Sequence, residues 1–594
     1  MNELQPVALE REGATADLVV EGGRVYCSHR QAFLERDIAV VGDRIAALLE
    51  DAASVTGPET TVVSAADRVV LPGLIDAHTH ADLQLILDRS VPDVLATGTT
   101  AIVTESSGLG VLFGSRGVET VLERTADCPL TTYLTLPPQG FVDTFEPATG
   151  TAAELESLAD LLDRERVVGV GEIDWIHVVG RDAPIEGLYE RAREADATIV
   201  GHGAGCRGAS LRAFATVADN DHEAISADGI RERADNGIHV VGRCGSIRDD
   251  LDALIEAFPD LDRRSVSLST DGVWPGDLLE GFGMAELVCR LIDAGIAPAD
   301  AIDAASRNTA EHFGLADRGV VAPGAVADLL VVDDLETMAV ETVLAEGEIA
   351  VADGEPVVEP RTDPYPDYVY DTVSVDLDRD RFTASRAAAP DGTVRAMAVD
   401  RGLVTTETTV DLGVGDADPD PDEETPQRLG PAPERDALTA TLFDRDPATE
   451  DRRFTGFLTG YGLESGAVAT TATWETAGLV TVAADADDAV VAAERVASTG
   501  GGTAVARDGE VVADLPMPIA GTAAELPPER FAARAAAVAD ALRDGGVDVE
   551  RPLLTVQTLT FPGVPALKLT PSGYADVLGR SLVGLDPESD AGAD

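Results

Sequence analysis

Two histidines, His78 and His80, follow the apolar run VVLPGLID. In a strand, residues i and i+2 project to the same side, so both imidazoles can aim at one point. Two more histidines close apolar stretches that read as strands: His202 in TIVGHGAG and His222 in DNDHEAIS. Two carboxylates take equivalent places, Glu172 ending VVGVGEI and Asp271 ending SVSLSTD. Four imidazoles and two carboxylates make a ligand set for two divalent transition metals, and it suits manganese, iron or zinc alike. Each residue alone has a plainer reading. HxH arises by chance, His202 can mark a turn, His222 can face solvent, Glu172 can pair with an arginine and Asp271 can cap a helix. Only their conjunction, in this order, carries the metal reading. Of the remaining histidines, His29 falls in a turn, His239 opens a strand and His312 lies in a helix. His177, soon after Glu172, is a candidate substrate contact.

Such a set needs a scaffold that brings strand ends together. Between residues 71 and 315, eight strand candidates alternate with helical patterns: LIDAH, TTAIVTE, TTYLTL, VVGVGEI, TIVGH, the short stretch before His222, IHVVGR and SVSLSTD. The helical patterns include AAELESLADLLDRER and RDDLDALIEAF. Eight strands with crossover helices predict a (β/α)8 TIM-like barrel, whose strand C-termini open on one face. A doubly wound sheet would need a glycine-rich phosphate turn, which this stretch lacks. Residues 1–70 and 316–358 carry short runs with turn residues that read as antiparallel strands. They predict one small composite β domain. Residues 372–585 read as a further α+β domain with one clear helix, ADDAVVAAERVAST, and an acidic loop at about 413–436. The tail ESDAGAD is expected to fray.

Composition narrows the function classes. The chain has 594 residues, 44 Lys+Arg against 107 Asp+Glu, and a net charge of -63. That excludes nucleic acid and anionic membrane as partners, since both need cationic surface. Only one residue of the basic set is lysine, Lys568. An acidic, nearly lysine-free surface fits a protein adapted to concentrated salt; the plainer reading is an acidic proteome. Five scattered cysteines without a CxxC argue against a disulfide framework or structural zinc and fit a reducing cytoplasm. The N-terminus has no signal-peptide pattern, and no apolar run is long enough to span a bilayer.

The order HxH, glutamate, histidine, histidine, aspartate resembles the amidohydrolase superfamily. Many of its members bridge their metals with a carboxylated lysine. Lys568 lies far from the barrel, which leaves Glu172 as the bridge. The chain is similar along nearly its whole length to the adenine deaminase family, through PGLIDAHTH, GHGAG, DHEA and STD, then GYGLESGAVAT, GGGTAVARDGEVVADLPMPIAG and FPGVPALKLT. The resemblance implies a metal-dependent hydrolytic deaminase acting on a small nucleobase, most simply adenine. It further implies Arg243 as a substrate-binding candidate and a homodimer. Several positions depart from the family pattern. Ala81-Asp82 stand for isoleucine-glutamate, and Glu105-Ser106-Ser107 for a histidine-glutamate pair. Cys244 stands for a glutamate, Gly272 for a second aspartate, and Trp474 and Ala477 for a histidine-bearing motif. These departures leave open another purine, a cyclic amidine or a cyclic amide as substrate, and a non-catalytic metal-binding paralogue.

The resemblance also sets mechanistic expectations. Two cations sharing a water would lower its pKa towards neutrality. Asp271 would accept the proton as attack proceeds and deliver it to the leaving ammonia. Glu105 is the candidate donor to the ring nitrogen, given a pKa raised by burial. The C-terminal domain is expected either to cover the barrel mouth or to serve assembly alone.

Overall fold

The structure is a computed structural model that describes residues 14–138, 151–180, 183–401, 403–413, 428–445, 452–474, 478–564 and 566–588. Eight parallel strands form the central sheet: β1 (Leu74–Thr79), β2 (Thr99–Glu105), β3 (Thr131–Leu136), β4 (Val167–Asp174), β5 (Thr198–His202), β6 (Asn220–Asp221), β7 (His239–Arg243) and β8 (Val266–Ser269). They are hydrogen-bonded in sequence order from β1 to β8. Alternation along each strand sorts the side chains. On β2, Ala101 and Val103 join Ile75, Ala77 and Val241 in one cluster, while Ile102 packs in another with the helix residues Leu87, Val91 and Leu95. The ring is closed between β8 and β1 partly by a side chain. Asp271 N donates to His78 O at 3.0 Å, and the Thr270 amide and hydroxyl donate to the Asp76 carboxylate at 3.0 and 2.5 Å.

The helical patterns both appear, each tightening at its end into a 3-10 turn: Thr151–Ala159 runs into Asp160–Asp163, and Leu251–Ala257 into Phe258–Asp260.

A nine-stranded sheet draws on both ends of the barrel region, with Val69–Pro72 pairing antiparallel to Leu329–Val332. The expectation of purely antiparallel strands is corrected. Leu18–Cys27 runs parallel to Thr61–Ser64 and to Val69–Pro72, because the connections between them cross over. Val69–Pro72 leads straight into β1 through Gly73, where a Cβ would lie 2.1 Å from Thr100 Oγ1, so no larger residue fits.

The C-terminal region holds a second eight-stranded sheet. The predicted helix forms at Ala486–Ser498, N-capped by Asp485, and its alanine-rich face packs on the sheet. A longer helix, Pro528–Asp544, forms in the same region, started by a proline at its N-terminus. Residues 414–427 of the acidic loop and 589–594 of the tail lie outside the described residues. The far end of that loop segment is structured: Arg428–Leu429 pairs with Ala384–Ser385, and Pro433–Arg435 forms a 3-10 turn. A two-residue parallel ladder, Gln84–Leu85 with Ala523–Ala524, ties the C-terminal region to the segment that follows β1.

Candidate active site

The strand ends bring all six predicted ligands together. His78 and His80 leave the end of β1, Glu172 lies in β4, His202 ends β5, His222 follows β6 and Asp271 follows β8. All six are buried. Glu172 stands at the centre. Its Oε2 lies 3.4 Å from His78 Nε2, 3.1 Å from His202 Nδ1 and 3.2 Å from His222 Nε2. Asp271 Oδ1 lies 3.5 Å from His78 Nε2, 3.4 Å from His80 Nε2 and 3.9 Å from His222 Nε2. Three sets of ligand atoms each fall within 4.8 Å of one another: His78-His80-Glu172, Glu172-His202-His222 and His78-His222-Asp271. Glu172 belongs to two of them, one on either side.

The local backbone explains part of this geometry. Asp271, two residues beyond the end of β8, adopts a left-handed conformation, φ 56°, and Gly272 follows at φ 113°. Aspartate tolerates that region better than most residues, and the turn swings its carboxylate back over the barrel mouth.

The chemistry of the donors fits a divalent cation. His78 Nε2, Glu172 Oε2, both ring nitrogens of His202 and Nδ1 of His222 are buried with no hydrogen-bond partner among the described residues. Buried polar atoms are normally paired, so His78 Nε2, Glu172 Oε2 and His202 Nδ1, orphaned and facing one another, call for a bound cation. The charges respond accordingly. Burial opposes charge on His78, yet Asp271 and Glu172 outweigh it and push the imidazole up to about 10. Burial likewise opposes the Glu172 carboxylate, but His202, His222 and His78 hold it well below the usual range. Asp271 is held low against burial, chiefly by the Arg243 guanidinium.

Around the cluster sits a layer of which sequence reasoning named only Glu105 and Arg243. His80 Nδ1 lies 2.8 Å from the Ser107 hydroxyl, which in turn donates to Glu105 Oε2 at 3.2 Å. Glu223, the residue after His222, is buried and lies 3.6 Å from His222 Nε2. Burial disfavours its charge, but Arg243 and then His202 bring its carboxyl down to about 2. Arg243 makes four hydrogen bonds, all to carboxylates. It donates to Glu223, to Asp271 Oδ2 at 3.2 Å and to Asp250 Oδ2 at 2.7 and 3.1 Å. Asp76 accepts from Thr270 and from the His78 amide, and burial raises it to about 6. A carboxylate directly after a strand-end histidine was the signal available for Glu223; Ser107 gave none.

A cavity of about 180 Å³ lies over the cluster. Its barrel wall includes His80, Glu172, His202, Glu223 and Asp271; its opposite wall comes from the C-terminal region through Leu403, Val404, Trp474, Thr558, Phe561 and Val564. Trp474 meets His80 edge-on at 4.9 Å, and Phe561 meets His202 at 5.4 Å. Of the two expectations for the C-terminal domain, the structure therefore places it over the barrel mouth. Arg243 borders this cavity with four of its five N–H groups bonded to carboxylates. Glu105 and His177 do not border it: Glu105 sits behind His80, and His177 is buried in the helix Trp175–Gly180.

Comparison with known proteins agrees with this architecture. Residues 69–351 match the amidohydrolase family and residues 405–580 the adenine deaminase C-terminal domain. An adenine deaminase of Nitratidesulfovibrio vulgaris is 32% identical over 590 residues, covering 97% of each chain. One from Moorella thermoacetica is 30% identical, covering 98% of this chain and 97% of its own. Among solved structures, a β-aspartyl dipeptidase from Fervidobacterium islandicum covers 57% of this chain and 98% of its own, at 18% identity and a TM-score of 0.46.

Proposed function

Since the chain belongs to the adenine deaminase family, we propose that it hydrolyses adenine to hypoxanthine and ammonia. The observation that supports this best is the buried cluster in which Glu172 is shared between His78 and His80 on one side and His202 and His222 on the other. In this reading the cluster would hold two divalent cations, of manganese, iron or zinc, one among His78, His80, Glu172 and Asp271 and the other among Glu172, His202 and His222. When bound, they supply the positive charge that brings a water's pKa towards neutrality.

The chain's own residues do the rest. In the overall reaction a C6–O bond forms and the C6–N bond breaks. Asp271 accepts the proton released by the attacking water and hands it to the departing amine, acting as base and then acid. Arg243 holds the far oxygen of Asp271, which turns Oδ1 towards the cluster; its role is to position Asp271 rather than to touch substrate. The Ser107 hydroxyl accepts from His80 Nδ1–H and passes its own proton towards Glu105, which fixes the tautomer and leaves Nε2 for metal. Glu105 thereby supports His80, and the ring-nitrogen proton donor expected at that position is not assigned to it. Trp474, Phe561, Leu403 and Val404 offer flat or apolar surface to a planar heterocycle and exclude water. We further infer from composition and family a cytoplasmic, salt-adapted homodimer with no nucleic-acid or membrane partner.

The deciding experiment is a substrate panel on metal-loaded protein in concentrated salt, following ammonia from adenine and other purines and ring opening of hydantoins and dihydropyrimidines. Adenine is expected to be turned over best, with activity abolished by a chelator and restored by metal. Turnover of a cyclic amide with none of adenine would overturn the reading, and the departures at Glu105, Ser107 and Trp474 make that the second reading to test.

A further inference from the structure

Lys568 is the one lysine in a chain whose other basic residues are all arginine. It is 1% exposed, lies in the strand Leu567–Thr570 and takes no part in the chemistry above. Its Nζ donates to the carbonyls of Leu403 and Thr558, both at 3.2 Å. Those are the residues that bring two separate C-terminal segments to the cavity over the metal cluster. Leu403 precedes and Val404 opens the strand Val404–Asp411, and Thr558 is the C-cap of the helix Pro552–Gln557. The same strand is stitched to both segments by backbone. The Thr405 hydroxyl donates to Leu567 O at 2.6 Å, and Leu569 N donates to Leu559 O at 2.9 Å.

Two carbonyls at the tip of a buried amine match the two N–H groups of a neutral amine. Burial lowers its pKa to about 7, which fits that count. Guanidinium, with five donors in a fixed planar fork, would leave three unpaired in this apolar setting beside Leu559 and Leu569. The site therefore suits lysine and not the arginine used everywhere else in the chain.

We propose that Lys568 is a positioning residue that clamps the Leu403–Val404 and Thr558–Phe561 segments together, and so sets the width of the cavity wall facing the metal cluster. The clamp fixes where Val404 and Phe561 stand, and through them how closely a flat heterocycle is held against the cluster. This rests on the adenine deaminase reading for its kinetic consequence, but not for its structural one.

The test uses Lys568→Met, which keeps length and loses both donors, with Lys568→Arg as the second variant. Amide hydrogen exchange should rise in residues 403–406 and 557–561, with the Leu438–Asp444 strand unchanged. With adenine, KM should rise at least about tenfold while kcat stays within about threefold and metal content is unaltered. Exchange is read whether or not the wild type turns over adenine. A wild type inactive on adenine thus defeats the functional reading alone, and exchange still decides the clamp. Unchanged exchange at both segments would overturn the proposal. So would raised exchange with wild-type KM, or global unfolding of both variants, which would make Lys568 a support of the whole domain.

Discussion

At the scale of single residues, the site divides into the buried donors gathered around Glu172 and the groups that hold those donors still. Asp271→Asn removes the proposed proton carrier yet keeps an oxygen and the Arg243 side of the turn. It is expected to retain bound metal, measured by elemental analysis, and to lose 10²–10⁴-fold in kcat, about the usual worth of a positioned acid–base group. Ser107→Ala strips the partner from His80 Nδ1 and should weaken metal affinity about 10–100-fold, read by competition with a chelator. Arg243→Met leaves Glu223 and Asp271 buried without their counter-charge. Breaking a buried pair this way costs about 3–5 kcal/mol, so denaturant unfolding should show a loss of that order. Lys568 gives a pH signature of its own. The unfolded amine titrates near 10.5 and the folded one near 7, so between those values the unfolded chain holds more protons. The contribution is full above about pH 10.5 and is lost as pH falls towards 7. The stability difference between wild type and Lys568→Met should therefore grow in favour of wild type as pH rises across that window.

At the scale of elements, the barrel's strand ends bring the candidate ligands together and the C-terminal region covers them. The strands were legible because their signal is local. TTAIVTE, TTYLTL and TIVGH form strands at the expected residues, since β-branched residues and alternation decide them over a handful of positions. The helix Pro528–Asp544 was missed because its alanine-rich stretch has weak apolar contrast, and its stability comes from Phe531, Val538 and Leu542 packing on the sheet. The covering wall was illegible for a different reason. Trp474 and Phe561 reach His80 and His202 across hundreds of residues, and no spacing rule spans that distance. Phe561→Ala should widen the cavity and raise KM for adenine several-fold with metal content unchanged; an unaltered KM would show that this wall does not touch substrate.

At the scale of the whole molecule, charge dominates. A net charge of -63 spread over one chain repels itself strongly unless salt shortens the interaction, from about 10 Å at 0.1 M to about 3 Å at 1 M. Thermal unfolding should therefore rise steadily in temperature with added salt, and activity should fade on dilution into low-salt buffer; a melting temperature indifferent to salt would remove the salt-adapted reading. Arginine partly offsets this repulsion within the fold. Arg318 bridges Asp328 and Glu346, and Arg233 bridges Asp221 and the Gly203 carbonyl beneath the site.

The amino-acid order by itself marked His78, His80, Glu172, His202, His222 and Asp271 as candidate ligands and laid out the sequence of strands that carries them; the family resemblance, with no lysine near those strands, pointed to Glu172 as the shared carboxylate. Strand periodicity fixes which way neighbouring side chains point, and that information is contained in a few consecutive residues. Tertiary structure alone decided that Arg243 is spent on carboxylates, that Glu105 stands behind His80, and that a distant region walls the cavity. Those outcomes depend on which surfaces exclude water together, and packing settles that only once the whole chain has closed.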